Sequence, residues 1–484
     1  MALPLLLLFL QAGPYQSGME AFGARRYADA IPYFEKAAAN GPQALTARFM
    51  LGSACLLAHQ EQKALEAFAA LFQVAPDSAA AHLLTAEMML RAQMNDAAAQ
   101  HARRALEIDP QIPQAHYVLG QVALASGDNA AAAAELLKEI AANPGFAMAY
   151  YRLGDAYVKL GDWDNAIAAL QRSIWLNPNH SGPYVLIGKA YLNRGEVDEA
   201  EAALRHVLEI DPQNQEARQL QASKHEGPRA AAKLDAAYVK GRSEYLAGHI
   251  DAAMQWLEKA RAAGVHSNEL FFMLGNGYLQ ARKTAKGRAA FAELFGVAAD
   301  SGAARLFTAQ FLMRLEREDE AVAELDAALS REPKLPEGHY MRGEIAIYRA
   351  QIENAAAELN REIALNPDFA MAYYRLGDAY TRREDWEHAI PPLLRSVWLN
   401  PTYSGPYILL GKSYLKTGDL TEAERMLRRS LQMDPRNASA HYLLGRTLIQ
   451  SGKSEEGKKI LRRWEELRKE SDGQAPLSRG PLTQ

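Results

Sequence analysis

From Ala147 onward the apolar positions fall at Tyr150, Leu153, Gly154 and Tyr157, a spacing of i, i+3, i+4 and i+7 that puts them on one face of a helix. Gly161-Asp162 interrupts the pattern as a turn, and a second helical stripe follows at Ala166, Leu170 and Ser173. That stripe stops at Asn177-Pro178, because proline donates no backbone N–H and drives the preceding residue out of the helical region. The predicted unit is a helix hairpin. Pro42, Pro76, Pro110, Pro144, Pro178 and Pro212 repeat its end every 34 residues, and Pro333, Pro367, Pro401 and Pro435 resume the same beat.

Small residues recur where the two helices of a hairpin should meet. Gly18, Gly52, Gly120, Gly154 and Gly188 mark the first helix, and Ala30, Ala64, Ala98, Ala132, Ala166 and Ala200 the second. A glycine inside a helix costs on the order of 1 kcal/mol relative to alanine, so its recurrence calls for a close backbone approach. The order Tyr150, Leu153-Gly154, Tyr157, Ala166, Leu170, Ser173, Pro178 resembles the tetratricopeptide repeat family. The resemblance covers nearly the whole chain. It implies an all-α fold, an α-solenoid wound as a right-handed superhelix of tandem hairpins. The chain departs from the family pattern at its leading Trp, which is usually Tyr or His here, and at Ala86 and Ala309, which replace the glycine.

The array is duplicated. Asn143-Pro-Gly-Phe-Ala-Met-Ala-Tyr-Tyr-Arg-Leu-Gly-Asp returns as Asn366-Pro-Asp-Phe-Ala-Met-Ala-Tyr-Tyr-Arg-Leu-Gly-Asp, and the same 223-residue offset links Gly18 to Gly241 and Asn214 to Asn437. The expected organisation is a first array over 13–214 with about six repeats, a junction or hinge over 215–233 that breaks at Lys224, and a second array over 234–471. The second array has about seven repeats, the last of them a cap. The tail 472–484 carries Gly, Pro and Ser without an apolar stripe and is expected to be disordered. Within each array every repeat is expected to stack on its neighbours alone.

Charge and cysteine content narrow the function. Lys and Arg total 54 against 58 Asp and Glu, a formal net charge of −4, so the dense basic surface that a phosphate backbone calls for is lacking and no nucleic acid partner is expected. Cys55 stands alone, which excludes an intrachain disulfide and any multi-cysteine metal site. Residues 1–12 form an apolar run too short to span a bilayer, and no stable membrane insertion is expected. The run reads as a signal peptide cleaved after Ala12, which would make the protein periplasmic or secreted and of bacterial type. The alternative is a buried flank of the first repeat in a cytoplasmic protein.

No grouping of residues points to catalysis, so the chain is read as not an enzyme, without metal or cofactor. Gly405 to Gly411-Lys412-Ser413 imitates a phosphate loop, but five residues separate the glycines where four are needed, and the segment lies within a helical pattern. His82, His116, His339 and His441 occupy the slot of the family's Trp and read as packed imidazoles. Cys55, in the slot of the repeat's Tyr, reads as a small buried hydrophobe. The basic residues of the last helix, Lys458 to Lys469, alternate with Glu465 and Glu466 and read as the polar outer face of a cap.

The family resemblance implies a concave groove lined by the first helices, with groove side chains mainly at positions two, five, nine and twelve of each unit. Position five carries Tyr15, Phe49, Tyr117, Tyr151, Tyr238, Phe272, Tyr340, Tyr374 and Tyr442, an aromatic ladder of the kind that dominates binding hot spots. Position nine adds Asp155 and Lys189, matched by Asp378 and Lys412. The expected partner-binding set is Tyr117, Tyr151, Asp155, Lys189, Tyr340, Tyr374, Asp378 and Lys412. Chaperone-tail recognition is not expected, because position five lacks the Lys it uses and only Asn276 matches at nine. The expected function is a non-catalytic scaffold or adaptor gripping a protein or peptide ligand in the groove. Two alternatives are a self-assembling, filament-forming repeat protein and a separate-chain recognition subunit of an enzyme complex.

Overall fold

Gly154 shows why the hairpins close so tightly. A Cβ placed on it would lie 2.5 Å from Leu170 on the opposite helix, and the equivalent atom on Gly377 would lie 2.4 Å from Leu393. The larger side chain thus fills the space that the glycine leaves, sixteen residues further along. The pairing holds in most hairpins, from Gly52 against Phe68 to Gly445 against Leu461. Ala86 is answered by Ala102 at the same separation, both fully buried, so there the bulk is moved from one helix to the other.

The computed structural model describes residues 13–39, 43–222 and 235–473. The apolar run 1–12, the break at Lys224 and all of the tail beyond Gly473 lie outside them. Among the described residues the chain is an all-α solenoid of 27 helices. The chain divides into two compact units, one up to Val118 and one from Leu119.

The first unit holds α1 (Pro14–Gly23), α2 (Tyr27–Ala39), α3 (Ala44–Leu57), α4 (Glu61–Phe72), α5 (Ala79–Arg91) and α6 (Asn95–Ile108); the division falls within α7 (Ala115–Ser126). The second unit continues with α8 (Asn129–Ala142), α9 (Ala147–Leu160), α10 (Trp163–Leu176), α11 (Ser181–Arg194), α12 (Val197–Ile210) and a lone α13 (Gln215–Ala222). Seven further hairpins follow: α14 (Ala236–Leu246) with α15 (Ile250–Ala262), α16 (Asn268–Gln280) with α17 (Thr284–Phe295), α18 (Gly302–Arg314) with α19 (Glu318–Arg331), α20 (Gly338–Tyr348) with α21 (Ile352–Leu365), α22 (Ala370–Arg382) with α23 (Trp386–Leu399), α24 (Ser404–Thr417) with α25 (Leu420–Met433), and α26 (Ala438–Gln450) with α27 (Ser454–Gly473). None of these helices is long and apolar enough to cross a membrane.

Local chemistry sets the helix ends. Asp162 and Asp385 cap α10 and α23, each accepting a hydrogen bond from the backbone N–H three residues on, at Asn165 and His388. Gly161 closes α9 in the left-handed conformation at φ 75°, where glycine has no Cβ to obstruct the turn. The hydroxyl of Ser173 donates to the Ala147 carbonyl at 2.9 Å and that of Ser396 donates to the Ala370 carbonyl at the same distance, tying the end of each second helix to the start of its first. In the second unit successive first helices also touch one another, α9 with α11, α22 with α24 and α24 with α26 among them. They form one layer of the stack, called the inner layer below, and the second helices the other.

Stacking is not confined to neighbours. The C-terminal end of α10 packs against α16 and the segments beside it, although five helices, α11 to α15, intervene. Arg172 donates from Nε to the Leu294 carbonyl at 2.9 Å and from Nη2 to Asn268 Oδ1 at 3.2 Å, and Arg314 Nη2 donates to the Leu176 carbonyl at 3.1 Å. The last contact satisfies one of the carbonyls left without an intrahelical partner at the end of α10. Tyr150 and Trp175 share a core with Phe272, Phe291, Phe307 and Phe311. This contact joins the first array to the second, so the apolar rings of α16 and α18 are covered by the chain's own earlier repeats as well as by their neighbours.

Candidate functional site

The expected site residues all lie on first helices, and the structure places them in two kinds of environment. Tyr117 and Tyr340 are buried, at 7% and 9% exposure, and the Tyr340 ring packs edge-on against Phe369. Tyr238 and Phe272 are buried as well, so the aromatic ladder is not a continuous open stripe. Asn276, the one match to a terminal-carboxylate grip, is buried and donates to the Tyr245 hydroxyl at 2.9 Å.

Tyr151 and Tyr374 are different. Each is half-buried, and each meets a second ring edge-on: Tyr151 with His180 at 5.0 Å and 88°, Tyr374 with Tyr403 at 5.3 Å and 87°. The guanidinium of the following residue lies over each tyrosine ring, Arg152 at 5.1 Å and Arg375 at 5.3 Å. The hydroxyl reaches the start of the next first helix, where a Cβ on Gly182 would lie 2.9 Å from Tyr151 Oη and one on Gly405 would lie 3.1 Å from Tyr374 Oη. Glycine at the second position of the following unit therefore makes room for the tyrosine at position five. The whole arrangement repeats at the 223-residue offset.

One turn along the same helices stand Asp155 and Asp378. Asp155 Oδ2 accepts from Lys159 Nζ at 3.1 Å, whereas Asp378 is buried, paired with Arg382 at 3.2 Å and Arg375 at 3.7 Å. Lys189 is exposed on α11, which touches α9; Lys412, on α24, sits over the Trp386 ring at 5.2 Å. The copies differ most at the arginine. Arg375 Nε lies against the Glu344 carboxylate, while the residue at the matching place in the first copy is Gln121. Arg152 Nε is buried without a hydrogen-bond partner among the described residues. Burial, and then the charge of Arg152, lower the pKa of His180.

His180, Arg152, Gly182, Tyr403, Arg375, Gly405 and Glu344 were not singled out by the repeat positions. The duplication itself carried the signal, since both copies keep Arg after Tyr and Gly seven residues before Lys-x-Tyr. The phosphate-loop lookalike lies inside α24, and a Cβ on Gly411 would clash with Leu427 at 2.4 Å, so its glycine serves helix packing. Among the histidines of the Trp slot, His82 bonds His101 at 2.9 Å, His339 bonds Glu358 at 2.6 Å and His441 bonds the Asn437 carbonyl at 3.0 Å. Among the described residues no group of three or more His, Cys, Asp or Glu side chains could hold a metal ion.

Two tetratricopeptide sequence profiles match the chain, one over 15–71, 60–113, 117–184, 272–336 and 340–402, the other over 161–223 and 414–475. The chain belongs to the tetratricopeptide repeat family. No curated protein sequence matches it. Solved structures with a related chain path include a MamA fragment from Desulfovibrio magneticus RS-1, at 22% identity over 36% of this chain and 97% of that one with a TM-score of 0.34. The Cut9–Hcn1 tetramer of the APC/C is similar at 16% identity over 89% and 95%, with a TM-score of 0.33. YrrB, described as a tetratricopeptide protein with an unusual peptide-binding site, is similar at 20% identity over 38% and 93%, with a TM-score of 0.34. The family assignment rests on the repeat profiles.

Proposed function

We propose that the chain is a non-catalytic scaffold that binds a protein or peptide ligand on its inner helical layer through two related patches. Tyr151, Asp155 and Lys189 form one; Tyr374, Asp378 and Lys412 form the other. The observation that carries this reading is the twinned geometry at Tyr151 and Tyr374, a half-buried ring held edge-on beneath an arginine. Such a ring offers contact area and a hydroxyl while losing little side-chain entropy on binding. Tyr340, buried on α20, packs edge-on against Phe369 beside the second patch. Affinity capture from the native lysate and envelope fractions, with wild-type bait beside the Tyr151→Ala, Tyr374→Ala double variant, tests it. A protein held by wild type and lost by the folded variant supports the patches as the binding site; equal capture by both places binding elsewhere.

A further inference from the structure

We propose that the first of the two patches, Tyr151–Arg152–His180, takes a carboxylate of the bound peptide. This deepens the reading above and rests on it. The evidence is the contrast between two copies of one arrangement. In the second copy the guanidinium of Arg375 is neutralised from two sides, by Glu344 on α20 and by Asp378 one turn along its own helix. In the first copy Glu344 is replaced by Gln121, and Asp155 is held by Lys159 rather than by Arg152. Arg152 Nε and Arg375 Nε are both buried without a well-formed hydrogen bond among the described residues, but only Arg375 has a carboxylate lying against it. A guanidinium N–H shut away from water and left unpaired is costly, and a carboxylate matches its planar fork with two parallel hydrogen bonds. The second copy shows the occupant that this geometry accepts, since a glutamate side chain already fills the equivalent place.

The second patch, with its arginine ion-paired to Glu344 and Asp378, is left to contribute ring contact rather than charge recognition. The two halves therefore divide the work, the first reading an acidic group and the second an apolar or aromatic one. The carboxylate can come from an Asp or Glu side chain or from a peptide C-terminus, and one experiment separates these sources.

The test is a peptide array probed with the full chain, each peptide synthesised with a free and an amidated C-terminus and with each acidic residue replaced by its amide. Wild type, Gln121→Glu, Glu344→Gln and Tyr151→Ala are compared at one protein concentration, after circular dichroism shows equal helicity. Wild type is expected to lose at least tenfold in signal when one acidic residue becomes an amide, or when the C-terminus is amidated, and the two losses distinguish the sources. Gln121→Glu, which writes the second copy's residue into the first, is expected to lose binding to the same peptides at least tenfold. Glu344→Gln is expected to admit acidic peptides that wild type rejects. Peptides bound by wild type, lost by Tyr151→Ala and indifferent to both amidation and Gln121→Glu overturn the carboxylate assignment alone. An array on which wild type binds nothing overturns the peptide-binding reading together with it.

Discussion

Trp175 at the end of α10 stacks on Phe272 of α16, with ring centroids 4.7 Å apart and planes within 7° of parallel. Phe272 occupies the fifth position of its unit, so the inner layer at this point holds a side chain of the first array. The indole is 7% exposed and is braced by Arg172 and Arg314, which bind backbone carbonyls across the same contact. Truncating a buried tryptophan typically costs about 3–5 kcal/mol, and in a repeat protein such a loss falls on the elements that touch it. Trp175→Ala is therefore expected to speed amide hydrogen exchange in α10, α16 and α18 while leaving α24 to α27 at wild-type rates. Uniform acceleration along the second unit, or none in α16, would show that the contact does not couple these hairpins.

The glycine of the hairpin gives a prediction whose sign is decided by magnitudes. Gly154→Ala gains about 1 kcal/mol in helix propensity but drives a Cβ to within 2.5 Å of Leu170 Cγ and Cδ2. Overpacking a filled site costs about 1–3 kcal/mol, so the single variant should be less stable than wild type. Leu170→Ala alone leaves a cavity that the new Cβ partly fills, so the double variant, which reproduces the Ala86 and Ala102 pairing already present in the chain, should lose less than the sum of the two single losses. A double-mutant cycle in urea checks it, and strictly additive effects would show that the two residues do not share the space.

The hairpins were legible because one residue type, glycine, recurs where no Cβ fits, and because Pro178 and its counterparts end each second helix. The duplication was legible from Asn143 and Asn366 alone. What the sequence hid was the docking of α10 onto α16, because Trp175 lies on the helix opposite to the one that carries the position-five ladder and no periodicity links it to Phe272. The same limit applied at the candidate site. Position five places Tyr151 and Tyr374 on first helices, but Tyr117 and Tyr340 have the same position and are buried, since exposure there is set by which neighbouring element covers the ring. Arg152 and Glu344 acquired meaning only when the two copies could be compared in space.

The first unit should weaken in mild acid. His82 Nδ1 and His101 Nδ1 lie 2.9 Å apart, an arrangement that requires one ring to donate and the other to accept, so both cannot be protonated and keep it. Burial, and then the neighbouring imidazole, lower His101 to about 4 from its usual 6.5; His82 is lowered too, by burial first and then by Arg104. A histidine depressed in the folded state binds its proton more readily when unfolded. The stability it confers is therefore present above pH 6.5 and declines as the pH falls from there toward 4. Urea midpoints for α1 to α6, followed by hydrogen exchange, should fall across that window in wild type. They should fall less in a His101→Gln variant, and an identical slope in both would remove the pair as the cause.

Adjacent tyrosines with opposite environments separate packing from binding. Tyr150 is 3% exposed and meets Phe295 at 6.3 Å, whereas Tyr151 is half-buried beside His180; Tyr373 and Tyr374 repeat the contrast. Tyr150→Ala removes a ring from a closed core and should cost about 3–4 kcal/mol, by analogy with other large aromatic truncations. Tyr151→Ala gives up only part of that burial and should cost about 1 kcal/mol, so that its effect on stability and its effect on partner capture diverge. Denaturant midpoints for the four single variants decide the matter. Comparable losses at Tyr150 and Tyr151 would make both rings structural, and the inner-layer patch would then have no ring to offer a ligand.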